Sequence, residues 1–165
     1  MNPISSEMER SRTAFEILAG AGIGPFRLGM TRAQAREIAQ RELGIDMDVT
    51  AARGHDYDAI ADTGLTIHYD ENGCCKRVSV FLGYTPHVRY AFTLFGEEIC
   101  GKDDTYVTQL CKNHWPDVRD VYVGLKTGIK VRSVGLSAGY WENSSDGCFF
   151  WVDVEPPESR SGATV

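Results

Sequence analysis

The chain has 165 residues, 42% apolar, 24% charged and 10% aromatic. That mixture excludes a disordered chain and a collagen-like one, and no apolar run approaches the roughly 20 residues that cross a bilayer. A formal charge of −6 argues against a general nucleic-acid binder, which needs a basic face.

The first element expected is a helix from Ser5 to Ala19. Ser6 and Glu9 have capping-box spacing, Ala14, Phe15, Ile17 and Leu18 supply an apolar face, and Gly20 and Gly22 stop it. The segment mixes acids and bases, so it reads as neither a secretory signal nor a membrane anchor, and a cytoplasmic protein is expected. Gly24 and Pro25 then bend the chain into a short extended piece, Phe26–Leu28. Thr31 and Gln34 form a second capping box. The helix they open runs to about Leu43 and ends at Gly44. Its buried face is Ala35, Ile38, Ala39 and Leu43, with Arg32, Arg36, Glu37 and Arg41 in water.

Residues 42–71 hold eight acids against Arg53 alone, a net of −7. Within and after this acidic link, a short strand is expected at Asp58–Ala61. Leu65 to Tyr69 alternates at period two, Asn72-Gly73 makes a tight turn, and Cys75 to Leu82 returns with Val78, Val80 and Leu82 on one face. Tyr90–Phe95 is the next strand. Asp103 or Asp104 caps a helix with the face Val107, Leu110, Cys111 and His114, ended by Trp115-Pro116. Three strands follow, Val118–Val123, Gly128–Val134 and Cys148–Val154, then a frayed tail.

The fold expected is α+β and two-layered, with helices on one face of antiparallel β-meander sheets. The order of elements is consistent with a tandem α-β-β-β repeat. The expected divisions are an N-terminal helix at 1–21, one α+β domain at 22–155 with halves 22–89 and 90–155, and a flexible tail at 156–165.

The glycines near residue 24 do not make a phosphate loop, because neither GxGxxG nor GK[ST] is present. Five cysteines without CxxC spacing read as reduced core residues. Asp46, Asp48, Asp56 and Asp58 lack EF-hand spacing, so no metal or cofactor is expected. The one catalytic pairing within reach is Cys75 with His68 across the hairpin. It supports a rival reading as a small cysteine-dependent hydrolase or transferase, using Cys75 or Cys100 with a histidine.

Gly22-Ile23-Gly24-Pro25-Phe26-Arg27-Leu28-Gly29-Met30-Thr31, followed by a helix ending at Leu43-Gly44, resembles the entry motif of small bacterial immunity proteins of polymorphic toxins. Gly64-Leu65-x-Ile67-x-Tyr69-Asp70-Glu71-Asn72-Gly73 and Gly96-Glu97-Glu98-Ile99 resemble later parts of that group. The same unit occurs in outer-membrane assembly lipoproteins and in tandem-repeat β-lactamase inhibitor proteins. The resemblance spans roughly residues 22–110 and implies a binding scaffold, with no catalytic residues to transfer. The function it implies is stoichiometric occlusion of a cognate toxin with a basic active-site cleft. Acids and aromatic anchors suit that task. The first candidate surface is Asp46, Asp48, Asp56, Tyr57, Asp58 and Asp62. The second is Tyr140, Trp141 and Glu142. A non-catalytic assembly module remains the other alternative.

Overall fold

The computed structural model describes residues 13–45, 56–60, 63–82, 90–123, 126–141 and 151–158. Strands dominate these residues, with two short helices, which is an α+β architecture built on sheets. The chain opens with β1 (Thr13–Leu18), β2 (Gly22–Ile23) and β3 (Phe26–Arg27). Helix α1 (Arg32–Ile38) continues as one π-helical turn, Ala39–Leu43. Three strands follow: β4 (Tyr57–Ile60), β5 (Leu65–Tyr69) and β6 (Cys75–Phe81). Next come β7 (Tyr90–Leu94), β8 (Glu97–Glu98) and α2 (Asp104–His114). The last strands are β9 (Val118–Val123), β10 (Lys126–Val131), β11 (Leu136–Trp141) and β12 (Trp151–Val154).

Two sheets form. One has five strands in the order β3-β2-β1-β7-β8; the other has seven, β4-β5-β6-β12-β11-β10-β9. The expected N-terminal helix is corrected over residues 13–18. Phe15 and Ile17 are buried, and β1 pairs in parallel with β7, Ala14 opposite Ala91 and Phe15 opposite Phe92. A short apolar run fits either period, and here the long-range partner decides it. Residues 13–18 therefore belong to the core of the domain rather than to an appended helix. The Ser6–Glu9 capping box lies outside the described residues. The parallel β1–β7 pair also departs from purely antiparallel meanders, although every other named strand pair is antiparallel.

The second capping box forms as expected. The Thr31 hydroxyl accepts from the Gln34 N–H, and the Gln34 side chain accepts from the Thr31 N–H. Gly44 closes the π-helical turn in the left-handed region, at φ 66°. Ala35 and Ala39 are buried, with Ile38 and Leu43 packed beside them. The entry motif has a structural task. The Cys75 N–H donates to the Met30 carbonyl at 2.7 Å, and the Gly29 N–H donates to the Cys75 carbonyl at 2.8 Å. The motif thereby stitches the start of α1 to the start of β6.

The β5–β6 hairpin matches its sequence pattern. Leu65, Ile67 and Tyr69 are buried while Thr66 and His68 are half-buried. Asp70 holds the turn, its carboxylate accepting from the N–H groups of Asn72 and Cys74, each at 2.9 Å. Other boundaries move. The strand expected at Asp58–Ala61 is Tyr57–Ile60, and the one expected at Gly128–Val134 ends at Val131, where a 3₁₀ turn takes over. Strand β11 was not anticipated. His114, expected on the buried face of α2, is exposed and stacks on Phe95 with ring centroids 3.5 Å apart. The expected tail is anchored at its start, where the Glu158 N–H donates to the Arg132 carbonyl; residues 159–165 lie outside the described residues.

Candidate functional site

The nine residues singled out from the sequence fare differently. Asp46, Asp48, Asp62 and Glu142 lie outside the described residues. Tyr140 and Trp141 end β11, in register with Thr127 and Lys126. Asp56 is exposed just before β4. Tyr57 is half-buried on β4, its ring 6.1 Å from that of His68.

Asp58 requires a correction. Expected as a surface acid, it is 0% exposed. Alternation along β4 turns it inward beside Ile60, toward α1. Arg32 and Arg36 sit one helical turn apart on α1, and both reach this carboxylate, with Nη2 to Oδ1 distances of 2.8 Å and 3.0 Å. The Tyr69 hydroxyl donates to its Oδ2 at 3.0 Å. Arg32 also donates to the Tyr57 carbonyl and lies over the Tyr69 ring at 5.0 Å. The two arginines expected in water are thus turned onto the sheet.

Burial alone would raise the Asp58 pKa. Hydrogen bonds from Arg36, Arg32 and Tyr69 outweigh it and hold the carboxyl down at about 2. Tyr69 is pushed the other way, first by burial and then by the Asp58 charge. This cluster ties α1 to β4 and β5. It leaves Asp58 with its acceptor capacity engaged inside the protein.

The outer face of the seven-stranded sheet carries half-buried polar and aromatic side chains around one exposed ring, Phe81. Opposite the buried Val78 and Val80, β6 presents Arg77 and Phe81, and opposite Val152 and Val154, β12 presents Trp151 and Asp153, with Glu155 just after it. Phe81 is paired in register with Trp151 and is 54% exposed. Tyr57, His68 and Arg77 form a continuous cross-strand row over β4, β5 and β6. Arg77 reaches on to Glu155 at 3.6 Å. Residues directly opposite on neighbouring strands share a face, so this row and the Phe81–Trp151 pair lie on one surface.

Arg77, Phe81 and Trp151 were missed in the sequence. The signal was present: in Arg77-Val78-Ser79-Val80-Phe81, the valines that mark the core also mark the opposite side chains as outward.

The proposed Cys75–His68 pair is not formed. Cys75 stands opposite Tyr69, and His68 stands opposite Arg77. Burial pushes the Cys75 thiol up to about 11, which removes the thiolate a nucleophile needs. Its S–H instead faces the Arg77 carbonyl at 3.7 Å. Cys111 is raised further, to about 12, by burial in α2. Among the described residues, no three His, Cys, Asp or Glu side chains gather as a metal site. No helix among them is long and apolar enough to cross a membrane.

Compared with known proteins, the chain matches no family model, no curated protein and no solved structure.

Proposed function

We propose that the chain is an immunity-type inhibitor, acting in the cytoplasm, which occludes a cognate bacterial toxin domain with the outer face of its seven-stranded sheet. The observation that carries the reading is the exposed Phe81 paired with Trp151, on the same face as Tyr57, His68 and Arg77. Aromatic and arginine side chains grouped on one surface are the usual anchors of protein interfaces. The net charge of −6, with Asp56, Asp153 and Glu155 around these rings, supports a basic partner drawn in by long-range attraction. Asp58 drops out of the contact set because it is spent on Arg32 and Arg36.

A two-layer, duplicated scaffold is part of the same proposal. The identical pairs Ala14-Phe15 and Ala91-Phe92 face each other in register. Each strand turns back into a two-residue strand, and each is followed by a capped helix. The meanders that follow end on β6 and β12, which pair with each other. The second has one strand more than the first.

The test is co-expression with the product of the neighbouring gene, followed by purified binding. Phe81→Asp and Trp151→Ala should each weaken the complex about 100-fold, in line with a lost interface anchor, while circular dichroism stays native. Native variants that bind like the parent protein would refute the assignment of this face.

A further inference from the structure

His68 and Arg77 stand opposite each other on β5 and β6. One Arg77 amino nitrogen, Nη2, lies 3.3 Å from Nδ1 and 3.4 Å from Nε2 of His68. Near-equal distances place it over the N–C–N side of the imidazole. A guanidinium carries a full positive charge and only donors, so it can rest this close to a neutral ring without charge repulsion. A second proton on the ring would set two cations against each other at the same distance.

Tyr57 on β4 covers one side of His68 with its ring 6.1 Å away. The charged groups facing His68 are Asp56 before β4, Lys76 and Arg77 on β6, and Glu155 after β12. The carboxylates favour the protonated ring and the two bases oppose it. Arg77 has an alternative place to go, since its Nη1 is already 3.6 Å from Glu155. Its Nε is buried with no hydrogen-bond partner, so its present position is not one that satisfies every donor.

We propose that His68 and Arg77 form a proton switch on the outer sheet face. Neutral His68 holds Arg77 across β5 and β6; protonated His68 drives it away toward Glu155. The proton enters on a ring lone pair, and no other bond changes. Where this face is the partner surface, as proposed above, acidification rearranges one of its anchors and weakens the complex. The switch itself does not depend on that reading.

Burial, followed by the Arg77 charge, lowers the His68 pKa from its ordinary 6.5, in accord with a neutral resting state. The unfolded chain binds the proton more readily, so stability is full above 6.5 and declines as pH falls toward the depressed value.

Two-dimensional NMR over a pH series, on the parent protein, Arg77→Gln and His68→Gln, tests the switch. In the parent, the His68 ring should titrate below 6.5, and the Arg77 Nε–H signal should move with the same midpoint. Arg77→Gln should raise the His68 midpoint, and His68→Gln should leave the Arg77 signal flat over that range. An unmoved midpoint in Arg77→Gln, or an Arg77 signal indifferent to pH in the parent, overturns the proposal. Affinity for the co-expressed partner, measured over the same pH range, separates the two claims. A working switch with pH-independent affinity sinks the outer-face assignment and leaves the switch standing.

Discussion

Asp58 shows how far a side chain's role can sit from its surroundings in the chain. Its carboxylate is fully buried while Arg32 and Arg36 each keep about a third of their surface, 31% and 33%, in water. The arginines thus keep part of their hydration, and the carboxylate recovers its own desolvation cost through several charged hydrogen bonds. Asp58→Ala should lower the unfolding free energy by about 3 kcal/mol, as expected when one partner of a buried pair is removed, read as a lower urea midpoint. Acid should have a related effect. The carboxyl drops from an ordinary 3.8 to about 2 on folding. Its contribution is present above 3.8 and is lost as pH falls toward 2, a change of about 2 kcal/mol. In Asp58→Ala the acid limb of the stability curve should flatten across that interval. An unchanged limb would mean that another carboxylate is responsible.

At the scale of elements, β11 backbone approaches β10 closely at Gly128. A Cβ at Gly128 would overlap the Ala138 carbonyl oxygen and crowd the Gly139 Cα. Backbone leaves nothing to move aside, unlike a flexible side chain. Gly128→Ala should therefore cost about 2–3 kcal/mol through overpacking, seen as a fall in thermal midpoint. A neutral result would show that the two strands can part without loss. A different strain sits in the turn between β7 and β8. Phe95 holds φ at +54°, where residues other than glycine are uncommon. Its ring lies between two contacts that repay this, stacked on His114 and tilted against Trp115 at 4.7 Å.

For the whole molecule, the decisive junctions join distant parts of the chain. Strand β1 is central in the five-stranded sheet, and β6–β12 unites the two halves of the seven-stranded one. Ile17, 2% exposed, should tolerate no charge if β1 is a core strand. Ile17→Asp should abolish cooperative unfolding, a loss beyond about 4 kcal/mol once a buried charge lacks a partner. Native-like melting of that variant would show that β1 is not part of the core.

Features whose physical cause lies within four residues were legible in the sequence. The Thr31–Gln34 box, the Gly44 stop, the Asp70–Gly73 turn and the alternation of β5 all depend on neighbours that the chain itself supplies. The outward face of β6 follows from the same rule, because its valines mark the opposite side chains. Tertiary structure alone decided the rest. Phe15 and Ile17 suit a helix or a strand equally until Phe92 arrives from 77 positions away. Asp58 looks like one acid among eight until Arg32 and Arg36 close over it. Hydrogen-bonding and charge partners brought together by folding cannot be read from spacing, because burial is a property of the assembled core and not of the segment that enters it.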